Sequence, residues 1–366
     1  MKIFQISAIL WALAFGFGCK PTDMTTIIHD DGSCTRIFTQ NVSTEFMQGD
    51  TSQNPFPVDI HAGWKVQWRY LTPGIHTNWP VKDMNYKKDD TVRLITAQIV
   101  RQFSSVKEMS DSFHFKSDFD WHDLPLSAQL DKKFRWFYTF YTYKETYPKL
   151  PIKYKVALSK YMTKDEASFW LSGQPNLLQG MNGIEIKDFT ADLESKFGRW
   201  IIENIWEMQF EALINHLDLF PNAPKKEKIQ SAKDSLFKTV QKVDIDKAIN
   251  INIGQLLNNY FKTTAFDSLA DEGNVAMKPI TEPKDIELFS KYNSQSINYK
   301  LLMPGKLIKT NGMISQDTIS WKIDSYRMLD SPFQLEATSK KFNLWPTLVS
   351  AIVVLAGLFF GLQRKK

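Results

Sequence analysis

The chain has few cysteines, and this excludes one class of fold. Only Cys19 and Cys34 occur among 366 residues. Two cysteines cannot form a disulfide framework, so the fold must be held by a hydrophobic core. The composition allows such a core, because 43% of the residues are hydrophobic and 13% are aromatic.

The chain also lacks an excess of one charge over most of its length. Of its 45 basic residues, four lie outside residues 19–342: Lys2, Arg364, Lys365 and Lys366. Residues 19–342 therefore contain 41 basic and 40 acidic residues. A nucleic-acid binder usually carries a strong positive excess, so we expect no nucleic-acid partner.

The common catalytic motifs are missing as well. There is no Gly-x-Ser-x-Gly, no His-Glu-x-x-His, no phosphate-binding glycine-rich loop and no Cys-x-x-Cys. We therefore expect a protein that is not an enzyme and has no catalytic residue, no cofactor and no metal.

Two groups of residues keep a metal-dependent hydrolase open as an alternative. Carboxylates and imidazoles cluster in one short segment and could bind zinc or manganese, although a solvated loop explains them more simply. A row of glutamates repeats every four residues on a predicted helix and could serve as an acid/base pair, although an exposed helix face is the simpler interpretation. The first group is His114, Asp118, Asp120, His122 and Asp123, and the second is Glu203, Glu207 and Glu211.

One long apolar run stands near the end of the chain. The nineteen residues from Leu344 to Leu362 carry no charge, and at about 1.5 Å per residue a helix of this length matches the hydrocarbon core of a bilayer. Trp345 lies at its start, and a basic tail follows it. The run predicts a single-pass transmembrane helix and a cytoplasmic tail within residues 342–366.

The first residues have the layout of an export signal. Lys2 precedes an apolar stretch, and Gly16-Phe17-Gly18-Cys19 resembles the lipobox of bacterial lipoproteins. That resemblance implies an acylated Cys19. Cleavage after Ala14 and a disulfide between Cys19 and Cys34 remain open as alternatives. We expect a bacterial inner-membrane protein with a periplasmic ectodomain and a lipid-anchored N-terminus.

Hydrophobic periodicity predicts an α+β fold: an antiparallel sheet with an inserted helical block, plus the C-terminal transmembrane helix. Trp64 to Tyr70 alternates as a half-buried strand does, whereas Asp188 to Leu219 has apolar residues at three- and four-residue steps. The expected segments are a signal peptide at 1–18, a β-rich part at 19–160, a helical insertion at 161–272, a β-meander at 273–341 and the membrane segment at 342–366.

Lys133 to Tyr147 is the strongest strand pattern, with aromatic residues on both faces. Burial of both faces in the core is the favoured interpretation. The alternative is a groove for an apolar or sugar-bearing ligand, because tyrosine and tryptophan combine apolar area with a polar end. The candidate groove residues are Trp136, Tyr138, Tyr141 and Tyr143.

The predicted meander carries a resemblance to a known family. Its turn and strand motifs resemble those of the LppM-like lipoprotein domain, and they make the chain similar to uncharacterised membrane-anchored lipoproteins of Bacteroidetes-type bacteria. The resemblance implies an α+β domain that binds lipid or glycolipid. Its motifs are Asp31-Gly32-Ser33, Met303-Pro304-Gly305-Lys306, Thr310-Asn311-Gly312, Ile319-Ser320-Trp321-Lys322 and Leu335-Glu336-Ala337.

These observations together predict a non-enzymatic, membrane-anchored envelope lipoprotein. Its expected partners are the lipid bilayer, a lipid or glycolipid ligand and an envelope protein. The first alternative is a protein-interaction module whose helices dock a partner without any ligand cavity. The second is the metal-dependent hydrolase.

Overall fold

A computed structural model describes residues 21–60, 63–69, 74–82, 95–243, 251–271 and 274–363. The predicted signal peptide and Cys19 lie outside these ranges. The chain divides into two compact units, one of residues 1–149 with 294–366 and one of residues 150–293. The first unit is built mainly from strands and the second from helices, so the fold is α+β.

The secondary structure consists of strands at both ends of the chain and helices between them. The strands are β1 (Thr22–Ile28), β2 (Cys34–Val42), β3 (Lys65–Arg69), β4 (Ile95–Phe103), β5 (Ser127–Arg135), β6 (Tyr138–Tyr147), β7 (Ser296–Leu302), β8 (Lys306–Thr310), β9 (Met313–Ser315), β10 (Thr318–Asp324) and β11 (Phe333–Phe342). The helices are α1 (Thr44–Met47), α2 (Val106–Ser112), α3 (Lys164–Ser172), α4 (Gly183–Asn215), α5 (Lys226–Val240), α6 (Ile253–Phe261), α7 (Asp267–Ala270), α8 (Lys278–Thr281), α9 (Lys284–Asn293) and α10 (Leu344–Gln363).

The first unit contains two sheets rather than one. The larger has the strand order β3-β4-β2-β1-β7-β10-β9, and the smaller has the order β5-β6-β11-β8. All pairs are antiparallel except β1 with β7, which joins the two distant parts of the chain in parallel. The β1–β2 hairpin turns at Gly32, whose φ of 99° falls in the region that favours glycine.

The aromatic segment 133–147 is a hairpin and not a single strand. β5 and β6 pair in antiparallel fashion, and Trp136 and Phe137 form the turn between them. From Thr139 to Tyr147 every second residue of β6 is buried, and the residues between them are half-buried. One face of β6 therefore lies in the core, and the other lies at the surface of the small sheet.

The core of the first unit lies where the two sheets face each other. Tyr143 of β6 and Tyr299 of β7 join their hydroxyls at 3.0 Å across this interface. Phe38 of the large sheet and Leu335 of the small sheet are fully buried. Burial of these apolar side chains is the main force that holds the two sheets together.

The second unit has its own core around the 33-residue helix α4. A capping box starts α3: Thr163 and Glu166 each bind the backbone amide of the other. Fifteen buried residues form the apolar core where α4 meets the later helices: Ile202, Trp206, Phe210, Leu213, Phe220, Ile229, Ala232, Leu236, Val240, Ile253, Leu257, Phe266, Leu269, Met277 and Ile280.

The C-terminal apolar run forms the helix α10, but the prediction that it crosses a membrane is wrong for the described residues. Among these residues no helix is both long enough and apolar enough for a membrane span. The first two turns of α10 contain Pro346 and Ser350, and the Ser350 hydroxyl accepts a hydrogen bond from the Trp136 indole. These turns contact the β5–β6 hairpin. The number of uncharged residues in the run therefore overestimates the length of helix that is available for a membrane span. The single-pass inner-membrane localisation rested on that count and is corrected with it.

Candidate functional site

Six aromatic side chains meet at one end of the small sheet, where the β5–β6 turn lies beside the start of α10. We call this group the aromatic tip. Each member exposes between 39% and 59% of its surface, although aromatic side chains of this size usually lie in a core. The group comprises Phe134, Trp136, Phe137, Tyr138, Phe342 and Trp345.

The aromatic tip is an ordered arrangement of rings. Trp345 stacks on Phe134 with centroids 6.1 Å apart and meets Trp136 edge to face at 5.7 Å. Tyr138 meets Phe342 edge to face at 5.6 Å. Each such pair contributes about 0.5 to 1.5 kcal/mol beyond its buried area. The tip therefore presents a preformed apolar surface.

Asn343 fixes the start of α10 to the β5–β6 turn. Its side-chain amide donates to the Trp136 carbonyl at 3.0 Å, and its carbonyl oxygen accepts from the Thr139 hydroxyl at 2.9 Å. Its backbone amide donates to the Phe137 carbonyl at 2.9 Å. The helix and the turn are thereby held as one structural element.

Helix α10 exposes apolar side chains on every side. Twelve of its residues are large apolar side chains that expose between 41% and 70% of their surface. They are Leu344, Trp345, Leu348, Val349, Ile352, Val353, Val354, Leu355, Leu358, Phe359, Phe360 and Leu362. Exposed apolar area of this extent marks an interaction surface, and a helix that is apolar all round is normally covered by apolar surroundings.

The structure separates the four candidate groove residues into two pairs. Trp136 and Tyr138 belong to the aromatic tip and are exposed, whereas Tyr141 and Tyr143 are buried in the core, at 2% and 0% exposure. The Tyr141 hydroxyl donates to the Asp30 carbonyl at 2.8 Å. The groove interpretation stays a prediction, and these positions restrict its accessible part to the tip.

A buried ion pair lies beside Tyr143 in the core of the first unit. Arg36 donates to Glu145 at 2.7 Å, and both side chains are 2% exposed. The Tyr143 hydroxyl donates to the same Glu145 oxygen at 2.5 Å, and Arg36 Nη2 also donates to Thr26 at 3.1 Å. Burial, and after it the Glu145 carboxylate, raises the pKa of Tyr143 and Tyr147 well above the ordinary value. The buried pair is thus part of a hydrogen-bond network that joins both sheets.

The acidic and histidine cluster ahead of Pro125 does not form a metal site. Within the described ranges no three His, Cys, Asp or Glu side chains are placed to hold a metal ion. Asp118 pairs with Lys116 at 3.1 Å, and Asp120 accepts hydrogen bonds from Ser294 and Gln295. The hydrolase alternative loses its proposed ligands there.

The glutamate row of α4 is neutralised by lysines. Glu203 pairs with Lys160 at 2.6 Å and also accepts from the Tyr161 hydroxyl. In the same unit, Glu207 pairs with Lys233, and Glu211 pairs with Lys155. Each carboxylate has a structural partner, so the row needs no cation to balance it.

The aromatic tip is not recognisable as a unit from the sequence. Phe342 and Trp345 lie some 200 residues after Trp136, and only the pairing of β6 with β11 brings them together. One signal was available, because a strand that ends in Phe342 leads directly into an apolar run that begins with Leu344 and Trp345.

No family model, no curated protein and no solved structure matches this chain. The resemblance to the LppM-like domain therefore stays a prediction.

Proposed function

We propose that the protein is a non-enzymatic lipid-binding protein that attaches to a membrane surface through the aromatic tip and α10. The observation that carries this proposal is the continuous exposed apolar surface formed by the tip and the helix. Binding at a surface does not require a helix that crosses the bilayer. Burial of apolar area contributes about 25 cal/mol per Å², so covering these side chains is strongly favourable.

The distribution of the apolar side chains supports lipid as the partner. A helix that docks into a protein groove usually has one apolar stripe and a polar opposite face. On α10 the exposed apolar side chains include the four consecutive residues Ile352 to Leu355, which point in all directions around the axis. Acyl chains at a lipid surface have no fixed shape, so they can cover apolar side chains that point in several directions.

The aromatic tip supports the same partner. Tryptophan and tyrosine favour the boundary between headgroups and acyl chains, because their rings are apolar and their polar atoms can remain hydrated. Trp136, Tyr138 and Trp345 are exposed beside the start of the apolar helix, so they could lie at that boundary when the protein binds a lipid surface.

Vesicle flotation of the full chain tests the proposal. We expect the wild-type protein to float with phospholipid vesicles. We expect the double variant Leu355→Glu/Leu358→Glu to remain unbound, because it replaces two apolar side chains of the lipid-binding surface by charges that lose free energy when they leave water. The matched control is Ile184→Glu/Val275→Glu, which changes apolar residues of similar exposure in the second unit and should float like the wild type.

Two results would overturn the proposal. A wild-type protein that stays unbound has no affinity for lipid. A wild-type protein that self-associates through α10 without lipid, and does not float, uses the surface for a second copy of the chain instead.

A further inference from the structure

Three lysines form a row across the small sheet, next to the aromatic tip. In the strand register, Phe140 of β6 lies opposite Lys133 of β5 and opposite Lys340 of β11, and Lys340 lies opposite Lys306 of β8. Residues directly opposite on paired strands share a face of the sheet. The three lysines therefore lie on one face, and we call them the lysine row.

The face that carries the lysine row is the outer one. Thr139 and Tyr141, the neighbours of Phe140 along β6, are buried toward the large sheet, so Phe140 points the other way. Lys133 and Lys306 are exposed, and Lys340 is half-buried. Arg135 is also exposed and lies opposite Tyr138 in the adjacent, tip-ward position.

Little negative charge balances this group. Lys133 pairs with Asp131 at 2.6 Å, in a contact where both side chains are more than half exposed. Neither Lys306 nor Lys340 pairs with an acidic side chain among the described residues, and like charges in opposite positions destabilise a sheet. Lys340 instead places its ammonium 5.1 Å from the centre of the Tyr138 ring, which directs it toward the tip.

We propose that the lysine row, together with Arg135, binds the phosphate groups of anionic lipids when the aromatic tip enters a membrane surface. The inference rests on the lipid binding proposed above and adds the class of lipid. The basic side chains lie on the sheet directly beside aromatic rings that favour the headgroup region, so phosphates at that depth would meet them. An anionic headgroup would also offset the repulsion between Lys306 and Lys340.

A competition between two vesicle populations tests this inference. The full-length protein is mixed with phosphatidylcholine vesicles and with vesicles that contain phosphatidylglycerol, and the two populations are separated. We expect the wild type to collect on the phosphatidylglycerol vesicles. The partition ratio is the amount of protein on the phosphatidylglycerol vesicles divided by the amount on the phosphatidylcholine vesicles. We expect Lys133→Gln/Lys306→Gln/Lys340→Gln to reduce this ratio by roughly a hundredfold, because each basic side chain near an anionic surface favours binding.

The matched control removes the same charge elsewhere. Lys225, Lys226 and Lys238 are exposed lysines of the second unit, and their triple change to Gln should leave the partition ratio unchanged. If this control lowers the ratio as much as the lysine-row variant does, net charge alone is responsible and the site is refuted.

The remaining outcomes separate this inference from the proposed function. Equal binding of the wild type to both populations overturns the anionic preference and leaves lipid binding intact, whereas binding to neither overturns lipid binding itself. Sodium phosphate that abolishes the preference, when sodium chloride of the same ionic strength does not, would show a site for free phosphate ions instead of headgroups.

Discussion

The Arg36–Glu145 pair is a buried ion pair in the core of the first unit. It connects β2 of the large sheet with β6 of the small sheet, and it forms further hydrogen bonds with Tyr143, Tyr147 and Thr26. A buried ion pair adds little net stability over a well-packed apolar pair, but removing one partner leaves an isolated buried charge. The contact therefore specifies how the two sheets fit together more than it stabilises them.

This asymmetry gives a prediction for two variants. Arg36→Met alone should lower the free energy of unfolding by about 3 to 5 kcal/mol, because Glu145 then remains buried without its counter-ion. Arg36→Met/Glu145→Leu should recover most of that loss. Urea denaturation of both variants measures the difference, and an equal loss in both would refute the explanation by an unpaired charge.

Cys34 gives a second prediction at this scale. Its thiol is fully buried and donates to the Met109 sulfur at 3.7 Å, and burial raises the pKa of the thiol to about 11. Since only the thiolate reacts, Cys34 should be inert to thiol reagents at neutral pH in the native protein and reactive in denaturant. The test uses Cys19→Ser to leave Cys34 as the only thiol; rapid native labelling would contradict the buried position.

At the scale of elements, the sequence predicted which segments are strands or helices better than it predicted which strands pair. The β1–β2 hairpin was recognisable from Asp31-Gly32, and α3 from its capping box, because both signals are local. The turn at Trp136-Phe137 was missed, since it contains no glycine, proline, asparagine or aspartate. The parallel β1–β7 pair was missed because nothing in either strand's sequence specifies a partner some 270 residues away.

At the candidate site, too, the face of each side chain was predictable from the sequence and its partner was not. Alternation along β6 placed Tyr141, Tyr143 and Glu145 on one face, and the structure shows that face in the core. Glu145 is a charged residue on an aromatic face, and this indicated a buried partner of opposite charge. That the partner is Arg36 depends on how the two sheets pack. The prediction of a membrane span relied on composition alone, whereas the first turns of α10 make specific contacts with the β5–β6 hairpin.

The Asn343 side chain makes two of the hydrogen bonds at the junction between β11 and α10. Asn343→Ala removes the hydrogen bonds to the Trp136 carbonyl and the Thr139 hydroxyl, and each such bond contributes about 1 kcal/mol. We expect faster hydrogen exchange at residues 134–138 and 344–350 and unchanged exchange in the second unit.

Two further variants control that measurement. Asn343→Asp keeps the acceptor for Thr139 and should give a smaller increase. Asn222→Ala, in an exposed turn of the second unit, should leave both segments unchanged. Unaltered exchange in Asn343→Ala would show that the ring contacts and the Trp136–Ser350 hydrogen bond hold the junction without this side chain.

At the scale of the whole molecule, the chain combines a β-sheet unit that carries the proposed lipid-binding surface with a helical unit that has a separate core. The helical unit begins and ends at positions 150 and 293, and its ion pairs and capping boxes are internal. A continuous segment with its own core is the usual definition of a folding unit.

Residues 150–293 should therefore fold when expressed alone. We expect a helical circular-dichroism spectrum and a single cooperative urea transition. A transition without cooperativity would show that the helical core needs the rest of the chain. The isolated segment should also fail to float with vesicles, because the aromatic tip and α10 lie in the other unit.

If lipid covers the aromatic tip and α10, vesicles must change the hydrogen exchange of the full-length protein at that surface. We expect vesicles to slow exchange at residues 134–138 and 344–363, where the exposed apolar side chains lie, and to leave residues 150–293 unchanged. Exchange that is identical with and without vesicles at 344–363, or protection confined to 150–293, would contradict it.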